Sequence, residues 1–153
     1  MAPRTLRTML LSRRVLSLGL LVLLLVGAGP VTRADAAPYD YQDPVQTGCA
    51  TAAFTVASSY IIANNGIVVG LVELRKGPNC SAYWTRTTSY YGTTYLRADV
   101  RRFDSKGNGN FAPFGMSATQ IYGNMLSPVF GSCLRGDGYA FGYWAVTRPI
   151  CWA

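Results

Sequence analysis

Chemistry has few places to reside in this chain. Glu73 is the sole Glu, and no His occurs anywhere in the 153 residues. Without imidazole there is no Ser-His-Asp or Cys-His catalysis, no His-based proton transfer and no His-containing zinc site. What remains is Glu73-Leu74-Arg75 followed by Trp84-Thr85-Arg86. Residues two apart on a strand point to one face, so Glu73 shares a face with Arg75, and Trp84 with Arg86. If the two segments pair as a hairpin, one register sets Glu73 opposite Arg86 and Arg75 opposite Trp84. That register gives an ion pair beside a cation–π contact. One carboxylate, two guanidinia and an indole could form a binding or catalytic constellation. They could equally form a ladder that fixes hairpin register, and the frequency of cross-strand charge pairs favours that structural reading.

A glycosidase mechanism needs a second carboxylate across a cleft. Asp40, Asp43, Asp99, Asp104 and Asp137 could supply it, and none sits in a recognisable context. Asp104 to Gly109 (DSKGNG) superficially resembles a calcium loop. Lys106 falls where an oxygen ligand belongs and Gly115 where the closing Glu belongs, so the segment reads as a solvated turn. There is no Gly-rich phosphate loop and no nucleophile elbow. Neither a metal nor a cofactor is expected. Arg135-Gly136-Asp137 is the integrin-type tripeptide, a match short enough to arise by chance. Tyr90, Tyr91, Tyr95, Tyr122, Tyr139, Tyr143, Trp144 and Trp152 outnumber what a small core needs. Exposed members could stack on sugars or fill a partner's pockets, although each by itself reads as a half-buried strand residue.

The elements that must position these residues begin after an export segment. Arg4, Arg7, Arg13 and Arg14 precede the apolar run Val15–Val26, which Gly27, Gly29 and Pro30 interrupt. Ala34-Asp35-Ala36 then offers a small-residue cleavage site, so residues 1–36 read as a secretory signal rather than a stable membrane anchor. Ser12-Arg13-Arg14 also fits a twin-arginine signal, which leaves the export route open. The mature chain would carry nine basic and six acidic residues. A net charge of +3 is sparse for a nucleic-acid binder. Cys49, Cys80, Cys133 and Cys151 form an even set, the mark of two disulfides in an extracellular domain. Four cysteines allow three pairings, and Cys49–Cys80 with Cys133–Cys151 costs the least loop closure. No paired C-x-x-C knuckle suggests zinc.

Residues 37–48 (APYDYQDPVQTG) have no periodicity and read as an extended, Pro-stiffened arm. Within it Tyr39, Tyr41, Pro44 and Val45 are the candidate protein-binding residues, expected to order against a partner. Residues 49–153 read as the disulfide-bonded domain. Strands are expected at Thr51–Ala63, Ile67–Arg75, Ala82–Thr88 and Thr93–Phe103. The last alternates cleanly, with Leu96, Ala98 and Val100 on one face and Arg97, Asp99 and Arg101 on the other. Asp104–Asn110 reads as a loop and Phe111–Gly115 as irregular. A strand or short helix near Ala118–Phe130 and a strand at Tyr139–Thr147 complete the chain. Sixteen Gly, eight Pro and no apolar stripe at helical spacing indicate all-β structure. The expected fold is a small antiparallel sandwich or partly open barrel.

Asp43-Pro44, Thr47-Gly48-Cys49, Gly70, Glu73-Leu74-Arg75, Cys80 and Trp84-x-Arg86 together resemble the YjfA-like secreted proteins of Gram-positive bacteria, streptomycetes above all. The resemblance covers about Tyr39 to Thr87, with a weaker echo at Ser127-Pro128 and the last two cysteines. Lys76-Gly77 departs from the pattern, where an aromatic and a Ser are usual. The resemblance implies a small exported, disulfide-bonded domain, supports Cys49–Cys80, and brings no activity with it. The function expected is a non-catalytic module that binds another secreted protein, as adaptor or subunit of an extracellular assembly such as a toxin complex. The alternatives are a cell-wall polysaccharide binder and a small secreted enzyme or toxin using Glu73 with Arg75 and Arg86.

Overall fold

The computed structural model describes residues 38–152. The signal-segment reading of residues 1–36 therefore lies outside the described residues. Ten strands follow one another: β1 (Phe54–Ile62), β2 (Val68–Lys76), β3 (Tyr83–Ser89), β4 (Thr94–Asp104), β5 (Gly109–Ala112), β6 (Gly115–Ala118), β7 (Gln120–Tyr122), β8 (Ser132–Ala140), β9 (Tyr143–Val146) and β10 (Ile150–Cys151). Every pairing is antiparallel. One sheet runs β1-β2-β3-β7 and the other β10-β8-β4-β5, with β6 added to β4 and β9 to β8. The fold is all-β, two facing sheets with no closed barrel.

The expected alternation of β4 is what joins the sheets. Leu96, Ala98 and Val100 are fully buried on its inner face. Leu74, Tyr83, Leu126 and Leu134 meet Val100 at one end of the core, and Ile61, Val72, Ile121 and Ala140 meet Leu96 and Ala98 at the other. The sheets approach closely enough for Thr85 and Thr87 to donate hydroxyl hydrogen bonds across the gap, to the carbonyls of Asp99 and Arg97 (both 2.7 Å). That approach requires glycine on β8. A Cβ on Gly138 would stand 2.3 Å from Val72, and one on Gly136 would stand 2.7 Å from the Thr85 hydroxyl.

Those same glycines hid β8 from the sequence, because Ser132–Gly138 has the composition of a loop. The single strand expected over Tyr139–Thr147 is instead the end of β8, a tight turn, and β9. The turn residues are Phe141 (φ 54°) and Gly142 (φ 92°). Two successive left-handed residues make the hairpin turn normally signalled by Asn-Gly, and a Phe in the first place conceals it. Two further expectations are corrected. Of Asp104–Asn110 only Ser105–Asn108 is a loop, between the end of β4 and the start of β5, and the irregular Phe111–Gly115 contributes to β5 and β6, two short strands that continue each other along β4. Their backbones pair without an apolar repeat, so no pattern announces them. Near Ala118–Phe130 only β7 is regular, and its continuation bridges Tyr83 to Leu126.

Both disulfides form as expected, Cys49–Cys80 and Cys133–Cys151. The second joins directly opposed residues of β8 and β10. The first ties the N-terminal segment to the outer face of the first sheet.

That segment is not the extended arm expected from its composition. Asp43 Oδ1 accepts the Val45 and Gln46 amides, the Thr47 amide returns to the Asp43 carbonyl, and Ala50 returns to Pro44, winding the chain into successive turns. Tyr41 donates its amide to the Met125 carbonyl (2.8 Å), and Met125 donates back to Gln42 (2.9 Å). The Asp40 carboxylate is buried, accepting the Ser127 amide (2.6 Å) and pairing with Arg102 (2.9 Å). Asp40 and Asp43 are thus spent on fixing the segment. Proline stiffness alone does not predict extension when local carboxylates can close turns.

Candidate functional site

Two charged clusters occupy the outer faces of the two sheets. The first is the one legible in the sequence. β2 and β3 take the register that sets Glu73 opposite Arg86 and Arg75 opposite Trp84. Glu73 accepts from Arg86 Nε on one oxygen and from the Thr55 hydroxyl (2.6 Å) on the other, with Arg75 Nη1 at 3.5 Å. Burial pushes the Glu73 carboxyl upward. The hydrogen bonds from Arg86 and Thr55, and the charges of Arg86 and Arg75, outweigh burial and hold it below its ordinary value. The same hydrogen bond raises Arg86 above its own.

The expected contact of Arg75 with the Trp84 ring does not form. Arg75 turns instead toward β1, donating to the Thr55 hydroxyl (2.8 Å) and the Ala53 carbonyl. Trp84 is fully buried beneath the N-terminal segment, among Cys49, Cys80, Ala82, Met125 and Tyr39. A residue on the outer face of a sheet becomes core because the Cys49–Cys80 bridge folds a lid over it. The cluster is therefore largely covered: Glu73 is 6 % exposed, its oxygens accept from Arg86 and Thr55, and Arg75 turns to Thr55 and the Ala53 carbonyl.

The second cluster, on β4 and β8, was not assembled from the sequence. Along β4 the outer face presents Tyr95, Arg97, Asp99, Arg101 and Phe103, and the register places Arg97 opposite Tyr139, Asp99 opposite Asp137 and Arg101 opposite Arg135. Asp137 accepts Arg101 Nε on one oxygen and Arg135 Nε (2.9 Å) on the other. Asp99 sits at the break between β5 and β6. There its Oδ1 accepts the Phe114 amide (3.0 Å), and its Oδ2 lies 3.0 Å from Arg97 in an ion pair too poorly aligned to be a hydrogen bond. Burial raises the Asp99 carboxyl against the pull of the Phe114 amide and Arg97, and the facing Asp137 charge adds to the rise. The signals were present, since Arg135 and Asp137 are two apart and Arg97, Asp99 and Arg101 share a face. Combining them required knowing that β8 is a strand and pairs with β4.

Aromatic rings flank this second face. Tyr139 lies between Tyr95 (centroids 6.3 Å apart) and Trp144 (5.2 Å), and Arg97 stands over Trp144 at 5.4 Å. Tyr91 meets Phe141 edge-on. With Ala63, Asn65, Ile67 and Val69 they line an open apolar depression of about 290 Å³ at one end of the sandwich. Among the residues assigned to protein binding, Tyr41 and Val45 are exposed, Tyr39 packs against the Trp84 cluster, and Pro44 is buried. The tripeptide Arg135-Gly136-Asp137 lies within β8, with Asp137 buried in its ion pairs. Among the described residues, no group of three or more His, Cys, Asp or Glu is placed to hold a metal.

No family model and no solved structure matches the chain. The chain is similar to the "Uncharacterized protein YjfA" of Bacillus subtilis (strain 168), 28 % identical over 136 residues, which span 82 % of this chain and 83 % of that protein. This likeness supports a YjfA-like family for the chain.

Proposed function

We propose that the protein acts outside the cell as a non-catalytic docking domain that captures another secreted protein, as an adaptor or subunit of a larger assembly. The observation that carries this reading is the apolar end of the sandwich. Ile67, Tyr91 and Phe141 are exposed around one depression, and Ile62 and Tyr90 beside them are exposed as well. Aliphatic and aromatic side chains gathered on one surface suit a protein partner, which buries both kinds, better than a sugar, which stacks on rings. The charged groups point the same way. Among the described residues Glu73, Asp40, Asp99 and Asp137 each pair with arginine, so none of these four is a free acid or base. The two disulfides fit an oxidising compartment.

The test is affinity capture from culture supernatant with the wild type and with Ile67→Asp/Tyr91→Asp, after checking that both melt alike. A protein retained by the wild type and lost by the variant supports the reading. Equal retention by both, or no retention, defeats it. A second reading, binding of cell-wall polymer, is favoured by the row Tyr95, Tyr139 and Trp144, in which Trp144 is half-exposed. Co-sedimentation with purified wall that Trp144→Ala abolishes would support that alternative.

A further inference from the structure

Arg101 and Arg135 stand directly opposite each other on β4 and β8. Like charges in that relation repel, and only Asp137, one step along the same face, sits between them. Each arginine gives Asp137 its Nε. Two positive charges thus meet one negative charge, and the terminal Nη groups of both guanidinia have no hydrogen-bond partner among the described residues. Aromatic rings hold both forks in place, Phe111 at 4.2 Å from Arg101 and Phe103 at 5.7 Å from Arg135. Arg101, Arg135, Phe103, Phe111 and Asn110 line an open cavity of about 350 Å³. Asp104, at the end of β4, closes the adjoining turn, its Oδ1 accepting the Lys106 (2.8 Å) and Asn108 (2.9 Å) amides. Arg102 is occupied by Asp40 and the Ser127 carbonyl.

We propose that this cavity is an anion-binding site, in which Arg101 and Arg135 grip the carboxylate or phosphate group of a small ligand whose body lies on Phe103 and Phe111. Asp137 is a positioning residue. By engaging both Nε atoms it leaves the Nη edges of both guanidinia, the groups that bind two oxygens of one anion, to the ligand. The surplus positive charge selects an anion, and the two Phe rings select an anion carried on an apolar or ring-shaped body. The site is separate from the apolar end that carries the docking reading, so either can fail without the other.

NMR titration at fixed ionic strength with inorganic phosphate, glycerol 3-phosphate, glucuronate and neutral glucose tests it. Millimolar anion should shift resonances of Arg101, Phe103, Asn110, Phe111 and Arg135, while glucose should leave them in place. Arg135→Gln should weaken binding about tenfold, the scale of one charge-assisted pair, and Arg148→Gln, an exposed cation elsewhere, should not. If Arg135→Gln does not fold, Arg101→Gln carries the same expectation. Tighter glycerol 3-phosphate assigns a phosphate source and tighter glucuronate a carboxylate source, and either upholds the site. No localised shift with any anion, or equal weakening by Arg148→Gln, overturns it.

Discussion

The Glu73 cluster and the Asp137 cluster have one composition, a carboxylate between two guanidinia, and differ in what their arginines have left to offer. Around Glu73 the Arg75 and Arg86 side chains are 14 % and 23 % exposed, and the two terminal nitrogens of Arg75 are bonded to Thr55 and Ala53. Around Asp137 the arginines are 43 % and 38 % exposed, with their outer edges unused. The cause lies in what covers each sheet. On the first, the N-terminal segment and Cys49–Cys80 lie over the neighbouring Trp84 and β1 supplies Thr55. On the second no described residue lies over the pair, and the neighbours are aromatic. The same charges therefore make a structural staple in one place and an available binding surface in the other.

The largest way to disturb this contrast is to remove the lid. Cys49→Ala/Cys80→Ala should cost about 3–4 kcal/mol, shift Trp84 fluorescence to the red, and leave anion binding at Arg101 and Arg135 intact. Urea unfolding and emission spectra check it. Loss of the anion response in a still-folded variant would show that the clusters are not independent.

Breaking the covered cluster comes next. Glu73→Gln should lower stability by about 1–3 kcal/mol, because it strands two enclosed guanidinia. The folded-state Glu73 carboxyl lies below its ordinary 4.5, so its stabilisation is fully present above pH 4.5 and fades as pH falls through the lower folded value. The gap between wild type and variant in urea should close in that acid window. A gap that persists unchanged to the lowest pH at which both remain folded would mean the ion pair is not its source.

Asp137→Asn should cost less, about 1 kcal/mol or under, since its arginines reach water and screening weakens the pair. A loss as large as that of Glu73→Gln would erase the distinction between the clusters.

The smallest effect belongs to Asp99. Its carboxyl is raised above the ordinary 3.8, so the folded state holds its proton more tightly than the unfolded chain. Stability contributed by this group therefore grows as pH falls through the folded value and levels off below 3.8. Asp99→Asn keeps an acceptor for the Phe114 amide and should be neutral or slightly stabilising, by less than about 1 kcal/mol at neutral pH. Chemical denaturation at neutral pH measures it, and a destabilisation comparable to that of Glu73→Gln would show that the Arg97 pair outweighs burial.

Much of this was legible in the residues themselves. Cysteine number and spacing led to both bridges, because short loops close at least entropic cost and the separations of 31 and 18 residues are the local ones. The period of two in Thr93–Phe103 marked the core strand, and Glu-x-Arg followed by Trp-x-Arg contained the β2–β3 register, because side-chain alternation is a local property of extended chain. What the tertiary structure alone decided were relations across distance. Whether Trp84 faces water depended on a segment some 40 residues earlier, held down by Asp40, Arg102 and a disulfide. Whether Gly136 and Gly138 mark a loop or a strand depended on Val72 and Thr85 of the facing sheet, whose approach leaves no room for a side chain. The grouping of Arg101, Arg135 and Asp137 required β4 to lie beside β8, and a pairing between strands so far apart in sequence leaves no local pattern in either of them.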